Sequence, residues 1–159
     1  MSTAGAGSIE ERLAALNLSL PTAAPPAANY VPYAISGDTL WIAGQLPFAD
    51  GKLEIVGAVG EAVSIERAQH AAMLCGLNIL AQAKAALDGD LTRIVRCLKL
   101  GGFVNAPAGF TDHPQVINGA SDLMVAVLGD AGRHARFAVG ASSLPFDVAV
   151  EIDAVFAIR

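Results

Sequence analysis

The strongest constraint on the fold of this chain lies near its C-terminal end, in two runs of strand-forming residues, Arg136–Ala141 and Phe146–Ile158. Within the second run apolar residues occupy every second position, which predicts a strand with one buried face. The other face carries two acids, Glu151 and Asp153. Because Arg136 opens the first run, the pattern predicts a guanidinium on one strand beside a carboxylate on the next.

The composition predicts a chain that buries more surface than a lone monomer can. The sequence has 159 residues, which suits one domain. Hydrophobic residues make up 53% and charged residues only 16%, against roughly 25% in an average soluble domain. We therefore expect a homo-oligomer. The net charge of -5 gives no broad basic field, which disfavours a nucleic-acid partner.

Cysteine usage and hydropathy predict a cytoplasmic protein. Cys75 and Cys97 lie in separate apolar runs without a C-x-x-C motif, as expected of two buried, reduced thiols. The beginning of the sequence lacks the basic and apolar regions of a signal peptide. The stretch Ala71–Leu87 is interrupted by Asn78 and Gln82 and falls short of the roughly 18 apolar residues of a membrane span. We expect no membrane partner.

The N-terminal segment is predicted to be a separate feature. Ser8 and Glu11 have the spacing of a capping box, which predicts the start of a short helix. The segment Leu20–Asn29 is too rich in proline for a helix interior or a central strand. We therefore divide the chain into an N-terminal helix with a Pro/Ala-rich connector, residues 1–29, and a single domain, residues 30–159.

The domain itself is predicted to be α+β. Strands, a helix, a strand, a second helix and the terminal strand pair follow one another, which indicates a mixed sheet with two helices packed on one face. The predicted strands are Tyr30–Ile35, Thr39–Ala43, Ile94–Val104, Arg136–Ala141 and Phe146–Ile158; one helix is capped by Ser64 and stops before Gly89, a second runs from Pro114 to Leu128, and 53–59 is a weak strand or extended loop.

One pair of residues conflicts with the second predicted helix. Asn118 and Gly119 lie within it, although glycine in a helix interior costs roughly 1 kcal/mol relative to alanine. Either the helix begins later, or a ligand or another backbone approaches closely here. In the second case Asn118 is a candidate binding residue.

Local motifs do not define a familiar catalytic site. His70, His113 and His134 lack metal-ligand spacing, so no metal is predicted. The residues 57–60 lack the remaining parts of a phosphate loop, and Leu144 stands where a nucleophile elbow needs glycine.

Residue type alone leaves two assignments open. His134 is either an acid/base beside Arg136 or an ordinary loop histidine. Glu151 and Asp153 are either functional or simply solvated on an outer strand face.

Several short motifs, taken together, resemble those of a known family, the Rid/YjgF family, also catalogued as endoribonuclease L-PSP. The resemblance spans nearly everything from Tyr30 to Arg159, and the added N-terminal helix resembles a longer bacterial subgroup. The motifs are Tyr30, Gly44-Gln45, Asn118-Gly119, Arg136-x-Ala-Val-Gly, Leu144-Pro-x-Asp-Val and Glu151-Ile-Asp-Ala.

The resemblance implies a chorismate-mutase-like fold that assembles as a homotrimer with clefts between neighbouring subunits. It also implies a hydrolase that works without a cofactor on reactive 2-imino and enamine acids such as 2-iminobutanoate and 2-iminopropanoate. The products are 2-keto acids and ammonia, and the partner is thus a small carboxylate substrate.

The same resemblance assigns roles to five residues. Arg136 matches the arginine that binds the substrate carboxylate, and Glu151 matches the acid that positions or activates water. Tyr30 matches a tyrosine lining the cleft, and Asn118 an asparagine near the site. Ala138 stands where a cysteine is common, and its backbone N–H is expected to contact the substrate carboxylate.

Two departures from the family pattern put the substrate range in question. Phe137 stands where a small residue is usual, and Ala138 replaces the cysteine. Phe137 is expected on the opposite strand face from Arg136, where it affects packing or the trimer contact. Two alternatives stay open: a trimer that binds small carboxylates without catalysis, and an endoribonuclease, which the acidic composition disfavours.

Overall fold

The computed structural model describes residues 7–26 and 28–159, so residues 1–6 and Ala27 of the predicted N-terminal segment lie outside the described residues. The helices are α1 (Ile9–Ala15), α2 (Ile65–Ala86) and α3 (His113–Leu128), and the strands are β1 (Tyr33–Ser36), β2 (Thr39–Gln45), β3 (Phe48–Ala49), β4 (Lys52–Leu53), β5 (Ile94–Asn105), β6 (Ala135–Ala141) and β7 (Val150–Ile158).

A five-stranded mixed sheet forms the centre of the molecule, with the strand order β1-β2-β7-β5-β6. Strands β1, β2, β7 and β5 pair antiparallel, whereas β6 runs parallel to β5. Helices α2 and α3 pack against each other and cover one face of this sheet, and β3 and β4 form a separate short hairpin. The predicted α+β class, the mixed sheet and the two helices on one face are confirmed.

The apolar residues of β7 explain why the helices lie on that face. Ile152, Ala154 and Phe156 are almost fully buried, while Asp153 of the alternate set is exposed. On α3 a stripe of apolar residues that includes Ile117 is buried against the sheet. The period of two in the strand and the period of 3.6 in the helix thus meet in one core.

Two of the predicted strands begin later than expected. The first starts at Tyr33, because the chain bends at Tyr30 before Pro32. The last starts at Val150 rather than Phe146.

A left-handed turn accounts for the later start of β7. Phe146 and Asp147 have φ values of 57° and 58°, which no strand accommodates. Asn105 Nδ2 stabilises the turn by donating to Asp147 Oδ1 at 2.9 Å. Of the weak strand predicted at 53–59, Leu53 is the end of β4, and Val56 and Val59 form only isolated bridges, to Val148 and Val63.

The N-terminal helix is capped as predicted. Ser8 Oγ accepts from the Glu11 amide, and the Glu11 carboxylate accepts from the Ser8 amide. The helix docks on α3 through Leu13, which is buried, and through Arg12, whose Nη1 donates to the Val127 carbonyl at 2.9 Å. The capping box therefore begins a helix that belongs to the packed body.

Gly119 lies inside α3 because the backbone of α2 passes next to it. The helix begins at His113 and includes both Asn118 and Gly119, so the alternative of a later start is excluded. A Cβ at Gly119 would overlap the carbonyl group of Gln69. Of the two explanations offered by the sequence, close approach by another backbone is the one observed.

Both cysteines are free and buried, as predicted. Burial raises the pKa of the Cys97 thiol to about 12 and that of Cys75 well above its ordinary value. Such thiols are unreactive as nucleophiles near neutral pH. Within the described parts of the chain, no helix has the length and apolar composition to cross a membrane.

Candidate functional site

Arg136 lies on the edge strand β6 and points toward helix α3. Its Nη1 donates to Asn118 Oδ1 at 2.8 Å and to Ser121 Oγ at 3.0 Å, and its Nη2 donates to the Pro114 carbonyl at 3.2 Å. All three acceptors belong to α3, so this helix fixes the guanidinium plane. The three acceptors are uncharged and leave the positive charge available to an anion.

His134 supports this arrangement through Ser121. Its Nδ1 lies 2.6 Å from the Gly132 carbonyl, and its Nε2 lies 2.9 Å from Ser121 Oγ. A carbonyl only accepts, so Nδ1 carries the hydrogen, and in the neutral ring Nε2 accepts from the Ser121 hydroxyl. Ser121 therefore donates to His134 while it accepts from Arg136. The sequence left His134 open as an acid/base or an ordinary loop histidine, and the geometry adds a third role, support of the arginine through Ser121.

A second histidine borders the same region, and the sequence reasoning missed it. His113 Nε2 would lie 2.6 Å from a Cβ placed on Gly140, so the ring lies directly over that glycine. Phe110 holds the ring edge-on, with the two centroids 5.1 Å apart. Ala138 lies between Gly140 and Arg136 on this strand face. The signal in the sequence was the glycine at position 140, which leaves space on the strand for a side chain from another part of the chain.

Glu151 lies on the sheet face that the helices do not cover. It pairs with Phe103 of β5, and its carboxyl group lies over Gly44, where a Cβ would meet Glu151 Cδ at 3.1 Å. Gly44 belongs to an irregularity in the pairing of β2 between Ile42 and Gln45. The missing side chain at Gly44 therefore makes the space that Glu151 occupies.

The environment of Glu151 favours its neutral form. Burial raises the pKa of its carboxyl group, and the charge of Asp153 on the same strand face adds to the effect. A carboxylate that holds its proton to a higher pH is a stronger base once it has lost it. This property is common at catalytic acids and bases, although it does not by itself identify one.

Tyr30 lines a cavity of about 810 Å³, which Gly44 and Gln45 also line. The tyrosine side chain is exposed. The Glu151 carboxyl group does not line this cavity, but it lies over Gly44, which does. Tyr30 and Glu151 thus belong to one region of the molecule.

The structure separates the predicted site residues into two groups, which we call the arginine half-site and the glutamate half-site. The predicted placement of the guanidinium and the carboxylate on neighbouring strands is wrong, because β5 lies between β6 and β7. The register also places them on opposite faces, since Arg136 pairs with Leu100 and Glu151 with Phe103. The arginine half-site contains Arg136, Asn118 and Ala138; the glutamate half-site contains Glu151 and Tyr30.

The chain forms an α+β domain with two helices on one face of a mixed sheet. Its candidate site residues lie at the periphery of this domain, with Arg136 on an edge strand. The profile of the family described as "YjgF/chorismate_mutase-like, putative endoribonuclease" matches residues 10–157. The chain therefore belongs to the Rid/YjgF family.

Three relatives illustrate the range of the similarity. Protein TCP17 of Trypanosoma cruzi is 46% identical over 98% of this chain and 97% of its own length. The crystal structure of Atu1372 from Agrobacterium tumefaciens, a protein of unknown function, is 54% identical with a TM-score of 0.90, covering 95% of this chain and 92% of that one. RidA from the Antarctic bacterium Psychrobacter sp. PAMC 21119 is 26% identical with a TM-score of 0.60, covering 86% and 94%.

Proposed function

We propose that this protein hydrolyses reactive 2-imino and enamine acids to 2-keto acids and ammonia, without a cofactor, in clefts between the subunits of a homotrimer. The observation that carries the proposal is the Arg136 guanidinium, held on an edge strand by three neutral acceptors. A planar, positively charged fork of this kind suits a small carboxylate. Membership of a family that includes RidA supports the reaction class.

The uncovered face of the sheet supports self-association. Trp41 is 55% exposed and Phe103 is 40% exposed on this face. Phe137 packs edge-on against Phe103 at a centroid distance of 5.3 Å, and Lys99 Nζ lies 5.1 Å from the centre of the Phe137 ring. An apolar sheet face of this kind is typical of a protein interface. A homotrimer would bury it and would account for the low charge fraction.

The two half-sites support a composite cleft. One subunit would contribute the arginine half-site and its neighbour the glutamate half-site, so that Arg136 and Glu151 act on the same substrate. A closed ring of identical subunits repeats such a contact at every interface. The charges that one chain keeps on opposite sheet faces would then meet across the subunit boundary.

The chemistry then needs only groups that the chain supplies. Arg136 binds the substrate carboxylate and fixes the imine carbon, while Glu151 accepts a proton from the attacking water. Water adds to the protonated C=N bond as Glu151 takes one of its protons, and Glu151 then gives that proton to the nitrogen of the resulting carbinolamine. The C–N bond breaks as the new hydroxyl group returns a proton to Glu151, which leaves the keto acid and ammonia, and the ammonia takes up that proton as ammonium. General acid–base assistance of this kind contributes about 10²–10⁴-fold.

The test is keto-acid formation from 2-iminobutanoate and 2-aminoacrylate, generated in place by a threonine or serine dehydratase. We expect acceleration over the spontaneous rate with the wild type and none with Arg136→Ala. Arg133→Ala is the matched control, because Arg133 is highly exposed, outside the arginine half-site. No acceleration by folded wild-type protein would contradict the proposal and favour a non-catalytic carboxylate binder.

A further inference from the structure

A cavity lies beside the glutamate half-site, and residues 21–26 of the connector form one wall of it. Pro21, Ala23 and Pro26 line this wall, and Leu46 and Phe48 line the opposite side. The volume of about 810 Å³ is within the range of small-molecule sites. We call this space the connector pocket.

Buried carboxamides hold the walls of the connector pocket in place. Gln82 Nε2 donates to the Ala24 carbonyl at 2.7 Å and so fastens the connector to α2. Asn78 Nδ2 donates to the Phe48 carbonyl at 2.9 Å and fastens the opposite wall to the same helix. Both amide side chains are buried. The pocket is therefore a preformed space whose two walls are attached to one rigid helix.

The charges around the connector pocket restrict what it can hold. Among the side chains that line it in the described chain, Asp50 is the charged one and none is cationic. A carboxylate has no counter-ion there, and burying it unpaired would be costly. An apolar group, in contrast, gains about 25 cal/mol per Å² of surface removed from water. The pocket suits the apolar part of a ligand whose carboxylate is bound elsewhere.

Phe146 adds an aromatic side chain at the rim. It lines the cavity, yet it is 68% exposed. Two consecutive left-handed residues, Phe146 and Asp147, hold it there, a conformation that costs energy and tends to persist at functional sites. The strained turn thus presents an aromatic ring to a ligand entering the pocket.

We infer that the connector pocket receives the side chain of the substrate and selects 2-imino acids with an aromatic or large branched apolar side chain. The inference rests on the proposed function, because Arg136 of a neighbouring subunit must hold the carboxylate. The imine carbon then lies near Glu151, whose carboxyl group covers Gly44 at the edge of the pocket.

The first arm of the test measures binding without turnover. Calorimetric titration with 3-phenylpyruvate and with pyruvate compares two keto-acid products that differ only in the side chain. We expect 3-phenylpyruvate to bind about 10–100-fold more tightly, as burial of a phenyl group predicts. Equal affinity, or no measurable binding of 3-phenylpyruvate, overturns the inference.

Variants locate the effect in the pocket. Ala23→Phe fills the pocket from the connector wall, and it should abolish the preference for 3-phenylpyruvate over pyruvate. Ala85→Phe, the same change at an exposed position of α2 outside the pocket, should leave the preference intact. Phe146→Ala should reduce it several-fold, and Phe146→Leu should restore most of it. A preference that survives Ala23→Phe overturns the inference.

The second arm measures turnover of imines formed in place from phenylalanine or alanine by an amino-acid oxidase. Faster hydrolysis of the phenylalanine-derived imine supports the inference. Acceleration of both imines to the same extent overturns the inference and leaves the proposed function intact. Acceleration of neither, together with selective binding of 3-phenylpyruvate, contradicts the proposed function and supports the pocket assignment.

Discussion

The two half-sites are built on different principles. At the arginine half-site, polar side chains are joined in series, from Arg136 through Ser121 to His134 and a backbone carbonyl. At the glutamate half-site, Glu151 occupies the space left by Gly44 beside a mainly apolar cavity. The first region fixes a charge in one position, and the second provides room. Under the proposed function, the first would position the substrate and the second would accommodate it.

The largest effect is expected where the fixed charge is altered. Arg136→Lys keeps the positive charge but cannot reproduce the fork that α3 holds. We expect activity to fall on the order of 10²-fold, the cost of misplacing a substrate by about an ångström. Steady-state kinetics check this, with Arg133→Lys as control. Full turnover by Arg136→Lys would remove Arg136 from the carboxylate-binding role.

The next prediction tests whether the half-sites meet across subunits. Arg136→Ala and Glu151→Ala should each be inactive as pure proteins. When the two are unfolded and reassembled together, random trimers should regain about a quarter of wild-type activity, because each interface pairs two independently chosen subunits. Each variant reassembled alone is the control. A mixture as inactive as its parents would show that the half-sites do not combine.

A smaller effect is expected at the support of the arginine. Ser121→Ala removes one of the three acceptors of Arg136 and the partner of His134. We expect KM to rise by about 10-fold, the cost of one hydrogen bond to a charged group, with little change in kcat. Ser36→Ala, at an exposed position of β1, is the control. An equal loss in kcat would indicate a direct role for Ser121 in the chemistry.

The smallest effect concerns the charge beside Glu151. In the proposed mechanism the ionised form is active, so activity falls as the pH drops through the pKa of Glu151, which is raised above the ordinary value of 4.5. Asp153→Asn removes a like charge and lowers that pKa, so the acidic limb of kcat/KM should move to lower pH. Asp38→Asn, in the distant β1–β2 turn, should not move it. A limb that moves to higher pH would contradict this account.

Local sequence patterns predicted much of the fold because they record which residues face the core. The alternation in β7 led directly to its buried face, and the capping box located α1. The order of strands in the sheet is not a local property. Consequently, the insertion of β5 between β6 and β7, which separates Arg136 from Glu151, could not be read from the alternation.

The candidate site was predicted only in part for a related reason. Family motifs identified Arg136, Glu151, Tyr30 and Asn118, whose roles remain predictions. The connector pocket brings the connector, β2, α2 and the turn at Phe146 together from distant parts of the chain, and no single motif marks it. The left-handed turn at Phe146, which lines this pocket, lies where the sequence had predicted the start of the last strand.

The contact between Gly119 and the Gln69 carbonyl has a consequence for how precisely the Arg136 guanidinium is positioned. All three acceptors of Arg136 belong to α3, and α3 packs against α2 so closely at Gly119 that no side chain fits between the two backbones. The pair of helices therefore determines the position of the guanidinium, whereas the edge strand provides only the backbone from which the Arg136 side chain extends. Small movements of the exposed edge strand are therefore not expected to displace the guanidinium charge.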